Sequence, residues 1–254
     1  MLETHKQTPT SYRSLKTVVV GEHNIPFQNA SLVLLEVPLN RHEVKKILPL
    51  GLWPANPPMA TLFFADYPIF PYGVPYREAV MMVHVRTPLG RGIHCNWILV
   101  DNDVALIGGR DFLGYPKKLG EISFTEKNGV VHVCVTRRGI KLMTVNAERK
   151  APEYNPGPVF SHKNFNLRGP ADILTLNQVL FFKPREVIHE SFEADAELFL
   201  SDSVFDPIAG LVAGAPLRAR MVRMDILLPP AYIFPVGYTG GWRWFLNTFN
   251  MRFR

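Results

Sequence analysis

The chain has 254 residues, of which 47% are hydrophobic and 20% charged, so a largely disordered protein is excluded and a sizeable packed core is expected. Lysine and arginine outnumber aspartate and glutamate by 28 to 22, but the basic residues are scattered without interleaved aromatic residues, so no nucleic-acid partner is expected. The polar start, the two cysteines and the lack of an apolar run of about 18 residues predict a cytoplasmic protein with no membrane segment and no disulfide framework.

Short apolar and β-branched runs, punctuated by proline and glycine, predict strands through the first hundred residues. A polar N-terminal arm over residues 1–15 precedes them. Asn40 followed by Glu43 resembles a capping box and predicts a helix from Asn40 to Leu48, with Lys45 and Lys46 in solvent. The expected strands are 17–20, 31–37, 60–67, 79–85 and 95–100.

The clearest supersecondary signal lies in the middle of the chain. The runs 121–126, 130–136 and 140–145 are separated by Lys127-Asn128-Gly129 and by Arg137-Arg138-Gly139. Turn residues between β-rich runs predict a three-stranded antiparallel meander. Farther along, we expect strands at 172–182 and 219–229, a helix at 206–212 and an aromatic C-terminal extension at 240–254.

Many short strands with few helices predict the fold class. We expect a single α+β domain over residues 1–254, mainly antiparallel β, with a curved sheet closed into a barrel or cone and a few peripheral helices. No internal repeat or convincing linker divides the chain.

Common catalytic and metal-binding motifs do not occur. The chain has no Gly-x-Ser-x-Gly elbow, no Walker loop and no Gly-x-Gly-x-x-Gly. His132 and Cys134 share one face of a predicted strand, and His94 and Cys95 lie in another, but their spacing matches no tight metal motif. We therefore expect no metal site.

The pair Lys117-Lys118 in GYPKKLG is the most suggestive chemical feature. A lysine amine is a good nucleophile only when it is neutral, and apolar burial or a nearby like charge lowers a lysine pKa toward neutrality. Pro116 favours an extended entry, and an extended pair points to opposite faces, so one lysine can be buried while the other stays outside. Alternation does not decide which one, and an exposed pair at a strand start remains the alternative.

The segment GGRDFLGYPKKLGEISF resembles the signature of the acetoacetate decarboxylase family, in which the first lysine of a PKK run forms a Schiff base. The matching residues are Gly109, Arg110, Tyr115, Pro116, Lys117, Lys118 and Leu119. The segments RHEVKKILPLGL, LFLSDSVFDPIAGLV and MDILLPPAYIFP also resemble the family, and the similarity spans roughly residues 25 to 238.

The resemblance implies a barrel with a buried pocket, a homo-oligomer and no metal or organic cofactor. It implies Lys117 as the nucleophile toward the ketone of a 3-oxo acid, with Lys118 beside it and with Tyr115 and Arg110 near the substrate. A lysine activated by its surroundings is already known for acetoacetate decarboxylase.

The sequence departs from the family pattern around the expected pocket. Glu78 matches one acidic position, where it would hold a water or carry a proton, although it could equally be a strand-start carboxylate paired with Arg77. The second acidic position falls on Phe63 or Phe64, and Asp66 either substitutes for it or is a turn residue. The position of a pocket arginine falls near Ala30, where no basic residue stands. These phenylalanines suggest a larger or more apolar substrate.

Three functions are compatible with these residues. The leading hypothesis is a carboxy-lyase that decarboxylates acetoacetate or a bulkier 3-oxo acid through a Lys117 iminium. The second is a Schiff-base aldolase, dehydratase or hydrolase acting on an oxo acid. The third is a non-catalytic barrel that binds an apolar ligand.

Overall fold

A computed structural model describes residues 25–70, 73–169, 177–228, 233–240 and 242–252 of the chain. The helices are α1 (Arg41–Ile47), α2 (Asp103–Leu113) and α3 (Trp242–Arg252), with a 3₁₀ turn at Ala209–Leu211. The strands are β1 (Ile25–Pro38), β2 (Trp53–Pro54), β3 (Met59–Tyr67), β4 (Tyr76–Thr87), β5 (Gly90–Val100), β6 (Lys117–Leu119), β7 (Glu121–Lys127), β8 (Val130–Arg137), β9 (Ile140–Pro152), β10 (Asn164–Arg168), β11 (Asn177–Phe182), β12 (Arg185–Leu200), β13 (Arg218–Leu228) and β14 (Phe234–Thr239).

These strands form one curved, mainly antiparallel sheet in the order β14-β11-β10-β5-β4-β3-β1-β13-β12-β9-β8-β7. Among the strands that the structure describes, only the β10–β5 and β5–β6 pairs are parallel. The predicted class, mainly antiparallel β with few helices, is therefore confirmed.

Around β6 the chain links strands that are far apart in the order of the sheet. Within the described residues the hydrogen-bonded order stays open, so closure into a barrel is not confirmed. However, only Gly120 separates β6, which pairs with β5, from β7, which pairs with β8. The segment 117–127 therefore connects two distant parts of the sheet.

Strand alternation divides the buried side chains into two clusters. On β3, Leu62 and Phe64 belong to the larger cluster, whereas Phe63, Ala65 and Tyr67 belong to the other. Side chains of one strand point alternately to opposite faces, so a strand such as β3 contributes to both clusters. The second cluster surrounds the candidate site.

Several predicted elements are present. The Asn40 side chain accepts hydrogen bonds from the backbone of His42 and Glu43 and caps α1. The turn at Asn128-Gly129 has φ values of 53° and 78°, and it joins β7 to β8 in the predicted meander. The helix expected at 206–212 is only the 3₁₀ turn Ala209–Leu211. The strand expected at 17–20 and residues 172–176 lie outside the described residues.

The aromatic C-terminal extension contains a helix that the sequence analysis did not predict. In α3, Trp244 and Met251 are buried against the larger cluster. Asn247 donates a hydrogen bond to the Lys46 carbonyl at the end of α1. None of the helices in the described part of the chain has the length and apolar character needed to cross a bilayer.

Candidate active site

The turn between α2 and β6 brings Lys117 into the second cluster. The Asn102 side chain accepts a hydrogen bond from Ala105 N (2.9 Å) and caps the start of α2. The helix ends at Gly114, whose φ of 66° is a left-handed conformation that suits glycine. Pro116 then leads into β6, where Lys117 pairs with Ile98 of β5.

Helix α2 packs closely against the Lys117 side chain. A Cβ at Gly109 would lie only 2.5 Å from both Cδ and Cε of Lys117, so any larger residue here would displace the lysine stem. Arg110, the next residue, donates a hydrogen bond from Nη1 to the Lys117 carbonyl (3.0 Å). Neighbouring residues of the signature thus support both the side chain and the backbone of Lys117.

Lys117 faces a small aromatic cavity of about 50 Å³. Such a volume corresponds to about three or four water molecules. Among the described residues that line it, Lys117 is the only cation and Glu78 the only carboxylate. The lining is Phe27, Phe63, Tyr67, Tyr76, Glu78, Met82, Ile98, Leu113, Tyr115, Lys117, Phe160, Pro184, Ile226 and Leu228.

Glu78 is the direct partner of the lysine. The Lys117 Nζ lies 3.0 Å from Glu78 Oε2, and both side chains are buried, with 6% and 7% exposed. The Tyr67 hydroxyl donates to Glu78 Oε1 (2.8 Å), and the Tyr76 hydroxyl donates to Oε2 (3.3 Å). A buried ion pair is tolerated only when its atoms are hydrogen-bonded, and this carboxylate accepts from three donors.

The tyrosines around the pair remain neutral donors. Burial, with the nearby Glu78 charge as the next cause, raises the pKa of Tyr67 and Tyr76 well above the usual range. Burial likewise raises the pKa of Tyr115. The Lys117 amine lies 5.1 Å from the centroid of the Tyr76 ring, within the range of a cation–π contact.

Lys118 points to the opposite face, as an extended pair requires, but it is buried as well. Its amine donates to Asp206 Oδ1 and to the Phe205 carbonyl (3.3 Å). Arg137 Nη1 donates to the second carboxylate oxygen of Asp206 (2.9 Å), and Trp97 Nε1 donates to the first (2.8 Å). The expectation that one lysine of the pair stays outside is therefore wrong. Burial lowers the pKa of Lys118 to about 8, against the opposing effect of Asp206.

The structure brings together only part of the predicted site. Phe63 and Tyr115 line the cavity with Lys117 and Glu78. Phe64 points into the larger cluster.

Three further predicted residues lie off the cavity. Asp66 pairs with Arg77 Nε (2.8 Å) in a half-exposed position, because residue 66 shares the face of Phe64. It does not stand in for the second acidic residue, and Glu78 pairs with Lys117 rather than with Arg77. Arg110 contacts the Lys117 backbone, and Lys118 contacts Asp206.

Tyr67 and Tyr76 are the residues that sequence reasoning missed. Tyr67 lies four residues after Phe63 on the same face of β3, and Tyr76 lies two residues before Glu78 on the same face of β4. Strand alternation from Phe63 and Glu78 was a signal that could have found both.

The two histidines considered as metal ligands have hydrogen-bond partners in neighbouring strands. The His94 Nδ1 donates to the Phe165 carbonyl (2.7 Å), and His132 pairs with Asn146 (2.7 Å). Within the part of the chain that the structure describes, no group of three or more His, Cys, Asp or Glu residues could hold a metal ion.

The sequence of the chain is similar to sequences of known proteins. A family model described as acetoacetate decarboxylase matches residues 7–233, a span that starts earlier than the similarity found from the sequence. Decarboxylase DEC1 of Cochliobolus heterostrophus is 30% identical over 109 residues, which are 42% of this chain and 42% of that protein. The match thus covers less than half the length of that relative.

Solved structures show the same fold. An acetoacetate decarboxylase from Legionella pneumophila superposes with a TM-score of 0.74 at 16% identity, over 93% of this chain and 99% of that one. The enduracididine biosynthesis enzyme MppR superposes with a TM-score of 0.70 at 14% identity, over 93% of this chain and 98% of that one. With the family model covering most of its length, the chain belongs to the acetoacetate decarboxylase family.

Proposed function

We propose that this protein is a Schiff-base carboxy-lyase that decarboxylates a small 3-oxo acid through Lys117. The observation that carries the proposal is the buried Lys117 amine, which faces an aromatic cavity and lies 3.0 Å from a single carboxylate. An amine in such a pocket has a partner that can take its proton, and little water competes for the ketone.

The reaction balances with these groups alone. The Lys117 ammonium and the substrate ketone give an iminium and water, with Glu78 moving the protons between nitrogen and oxygen. Loss of carbon dioxide sends the electron pair of the broken C–C bond to the iminium nitrogen and leaves an enamine. The enamine carbon takes one proton, and water then releases the ketone and restores the ammonium. One proton from solvent is consumed in each turnover.

Glu78 is the proposed proton carrier. Its carboxylate is within hydrogen-bond reach of Lys117 Nζ, as a general base requires. The second predicted acid, Asp66, lies off the cavity, so it takes no part in this proposal.

The cavity favours a small acid. Phe63 packs edge-to-face with Phe160 at a centroid distance of 4.9 Å, and both rings occupy space in a cavity of only about 50 Å³. Phe63 therefore narrows the site. This favours a small substrate over the bulkier one that the phenylalanines suggested in the sequence. The described lining offers no arginine for the substrate carboxylate, so the Lys117 cation and the phenols are the available partners.

Carbon dioxide release tests the reaction class. We expect the protein to release carbon dioxide from acetoacetate faster than from 3-oxohexanoate, and Lys117→Arg to release none above the uncatalysed rate. Lys117→Arg keeps a positive charge but cannot form an imine, so it is the matched control. A variant with undiminished turnover would contradict the proposal.

A second candidate is a Schiff-base aldolase or dehydratase. It is favoured by the absence of a second carboxylate and of an arginine among the described lining residues. MppR, whose fold is similar to that of this chain, has been solved in complex with pyruvate and with the condensation product of pyruvate and imidazole 4-carboxaldehyde. A condensation product from pyruvate and an aldehyde, without carbon dioxide release from any 3-oxo acid, would favour this reaction.

A protein that neither traps an oxo acid on Lys117 nor turns one over would instead fit the non-catalytic ligand-binding hypothesis. The homo-oligomeric assembly and the cytoplasmic location expected from the sequence stay predictions.

A further inference from the structure

Two tyrosines outside the signature segment hold the candidate proton carrier. Tyr67 ends β3 and Tyr76 begins β4, and the two residues are directly paired across the strands. Their rings stack with centroids 4.8 Å apart and planes at 28°. One hydroxyl donates to each oxygen of Glu78, at 2.8 Å from Tyr67 and 3.3 Å from Tyr76.

The phenols matter most when Lys117 gives up its charge. In the resting site the Lys117 ammonium, 3.0 Å away, is the third donor to the Glu78 carboxylate. When Lys117 gives its proton to Glu78 both groups are uncharged, but at the later enamine stage the nitrogen is uncharged while Glu78 is again a carboxylate. A buried carboxylate that loses a partner is strongly destabilised unless other donors remain. Tyr67 and Tyr76 are the donors that remain.

We propose that Tyr67 and Tyr76 are positioning residues that hold Glu78 against Lys117 and set how readily this carboxylate takes up and returns a proton. The inference rests on the proposed function only for its catalytic consequence. The hold on Glu78 itself follows from the hydrogen bonds. Hydrogen bonds donated to a carboxylate favour its ionised form, so loss of one makes protonation easier.

Other groups around Glu78 are the same in every variant. Lys117 faces it from β6, and Tyr115 and Cys95 lie close enough to feel its charge. Arg77 and Asp66, on the neighbouring strands, pair with each other off the cavity. A changed titration of Glu78 after loss of one phenol is therefore attributable to that phenol.

The variants are Tyr67→Phe and Tyr76→Phe, with Tyr154→Phe as the matched control because Tyr154 is 89% exposed. Glutamate carboxyl groups labelled with ¹³C are titrated by NMR in folded protein without substrate, and the Glu78 signal is the one lost in Glu78→Gln. In parallel, the rate of borohydride trapping with acetoacetate is measured against pH.

We expect Tyr67→Phe to move the Glu78 titration and the acidic limb of the trapping profile to higher pH by about half to one unit, the value of one hydrogen bond. Tyr76→Phe should move both less, since its hydrogen bond is longer, and Tyr154→Phe should move neither. If Tyr67→Phe does not fold, the test is whether Tyr76→Phe shifts the Glu78 titration and the acidic limb of the trapping profile.

An unchanged Glu78 titration in folded variants would overturn the inference, even if the parent protein is trapped by acetoacetate. A purely structural role would lower the trapping rate at every pH without moving its acidic limb, and would overturn it too. Conversely, the Glu78 titration could shift in the variants while the parent protein forms no adduct. That result would support the positioning of Glu78 by the two tyrosines and contradict the proposed function.

Discussion

At the scale of single residues, the lysine depends on a glycine eight positions before it. Gly109 lies in α2, and its missing side chain leaves the space that the Lys117 stem occupies. The adjacent Gly108 lies in the same helix, but a Cβ there would meet only Phe112 Cδ2 at 4.0 Å. Of these two neighbouring glycines, only Gly109 lies against the lysine side chain.

We predict that Gly109→Ala lowers the rate of Schiff-base formation at least about tenfold, because the added methyl displaces the reacting amine, and misplacement by about 1 Å can cost more than this. Gly108→Ala should keep the parent rate. The rate is read from borohydride trapping with acetoacetate.

Thermal unfolding gives the matching control for stability. Alanine is a better helix former than glycine, so Gly108→Ala should leave the protein as stable as the parent, or up to about 1 kcal/mol more stable. Equal trapping rates in the two glycine variants would show that α2 does not position Lys117.

At the scale of elements, the short strand β6 contains two adjacent lysines that have different partners. Lys117 faces Glu78 in the cavity, and Lys118 faces Asp206 on the other side. Asp206 also accepts from Arg137, so one carboxylate that is 1% exposed balances two cations. The cluster of Lys118, Arg137 and Asp206 links β6 to β8 and to the loop after β12.

We predict that Asp206→Asn destabilises the protein by about 3 kcal/mol or more, because it removes the buried negative charge that pairs with Lys118 and Arg137. Glu43→Gln is the control, since its ion pair with Lys46 is exposed and such pairs contribute at most about 1 kcal/mol. Chemical denaturation measures both. Similar losses in the two variants would argue against a structural role for the Asp206 cluster.

Local patterns predicted the elements whose signals are local. The Asn40 cap, the Asn128-Gly129 turn and the opposite directions of Lys117 and Lys118 follow from neighbours in the chain. Helix α2 was missed although Asn102 and Gly114 are typical of its two ends. Strand β12 was missed although alternating charged and apolar residues are typical of a partly exposed strand.

The site was less predictable because its contacts are long-range. The burial of Lys118 depends on Asp206, which lies 88 residues farther along the chain. The pairing of Asp66 with Arg77 depends on the register between β3 and β4, where Asp66 lies opposite Arg77 and Ala65 opposite Glu78. Neither partner could be assigned from spacing alone.

At the scale of the whole molecule, a buried histidine couples stability to pH. His94 is 1% exposed on β5, and its Nδ1 donates to the Phe165 carbonyl of β10. Burial, with the nearby Arg252 charge as the second cause, lowers the pKa of His94 from 6.5 to about 3. The folded protein therefore keeps this imidazole neutral at pH values where the unfolded chain is protonated.

We predict that stability falls as the pH is lowered from about 6.5 toward 3, because over this range the unfolded state binds the additional proton. One such group contributes up to about 1.4 kcal/mol per pH unit. His94→Asn, which keeps a donor for the carbonyl, should flatten the profile, and the exposed His42→Asn should not. Denaturation at several pH values would reveal equal slopes if His94 were not involved.

The curved sheet joins these separate features into one site. Segment 117–127 pairs with β5 at its start and with β8 along the rest, so Lys117 lies where distant parts of the sheet meet. Glu78 and the two phenols reach it from β3 and β4. The fold therefore brings an amine, a carboxylate and neutral hydrogen-bond donors together at one cavity.

The most direct measurement is to incubate the protein with acetoacetate, reduce it with borohydride and locate the added mass by peptide mass spectrometry. The account predicts one adduct per chain, on the peptide that contains Lys117, and none in Lys117→Arg. An adduct on another lysine, or no adduct while carbon dioxide is still released, would contradict the central claim that Lys117 forms the Schiff base.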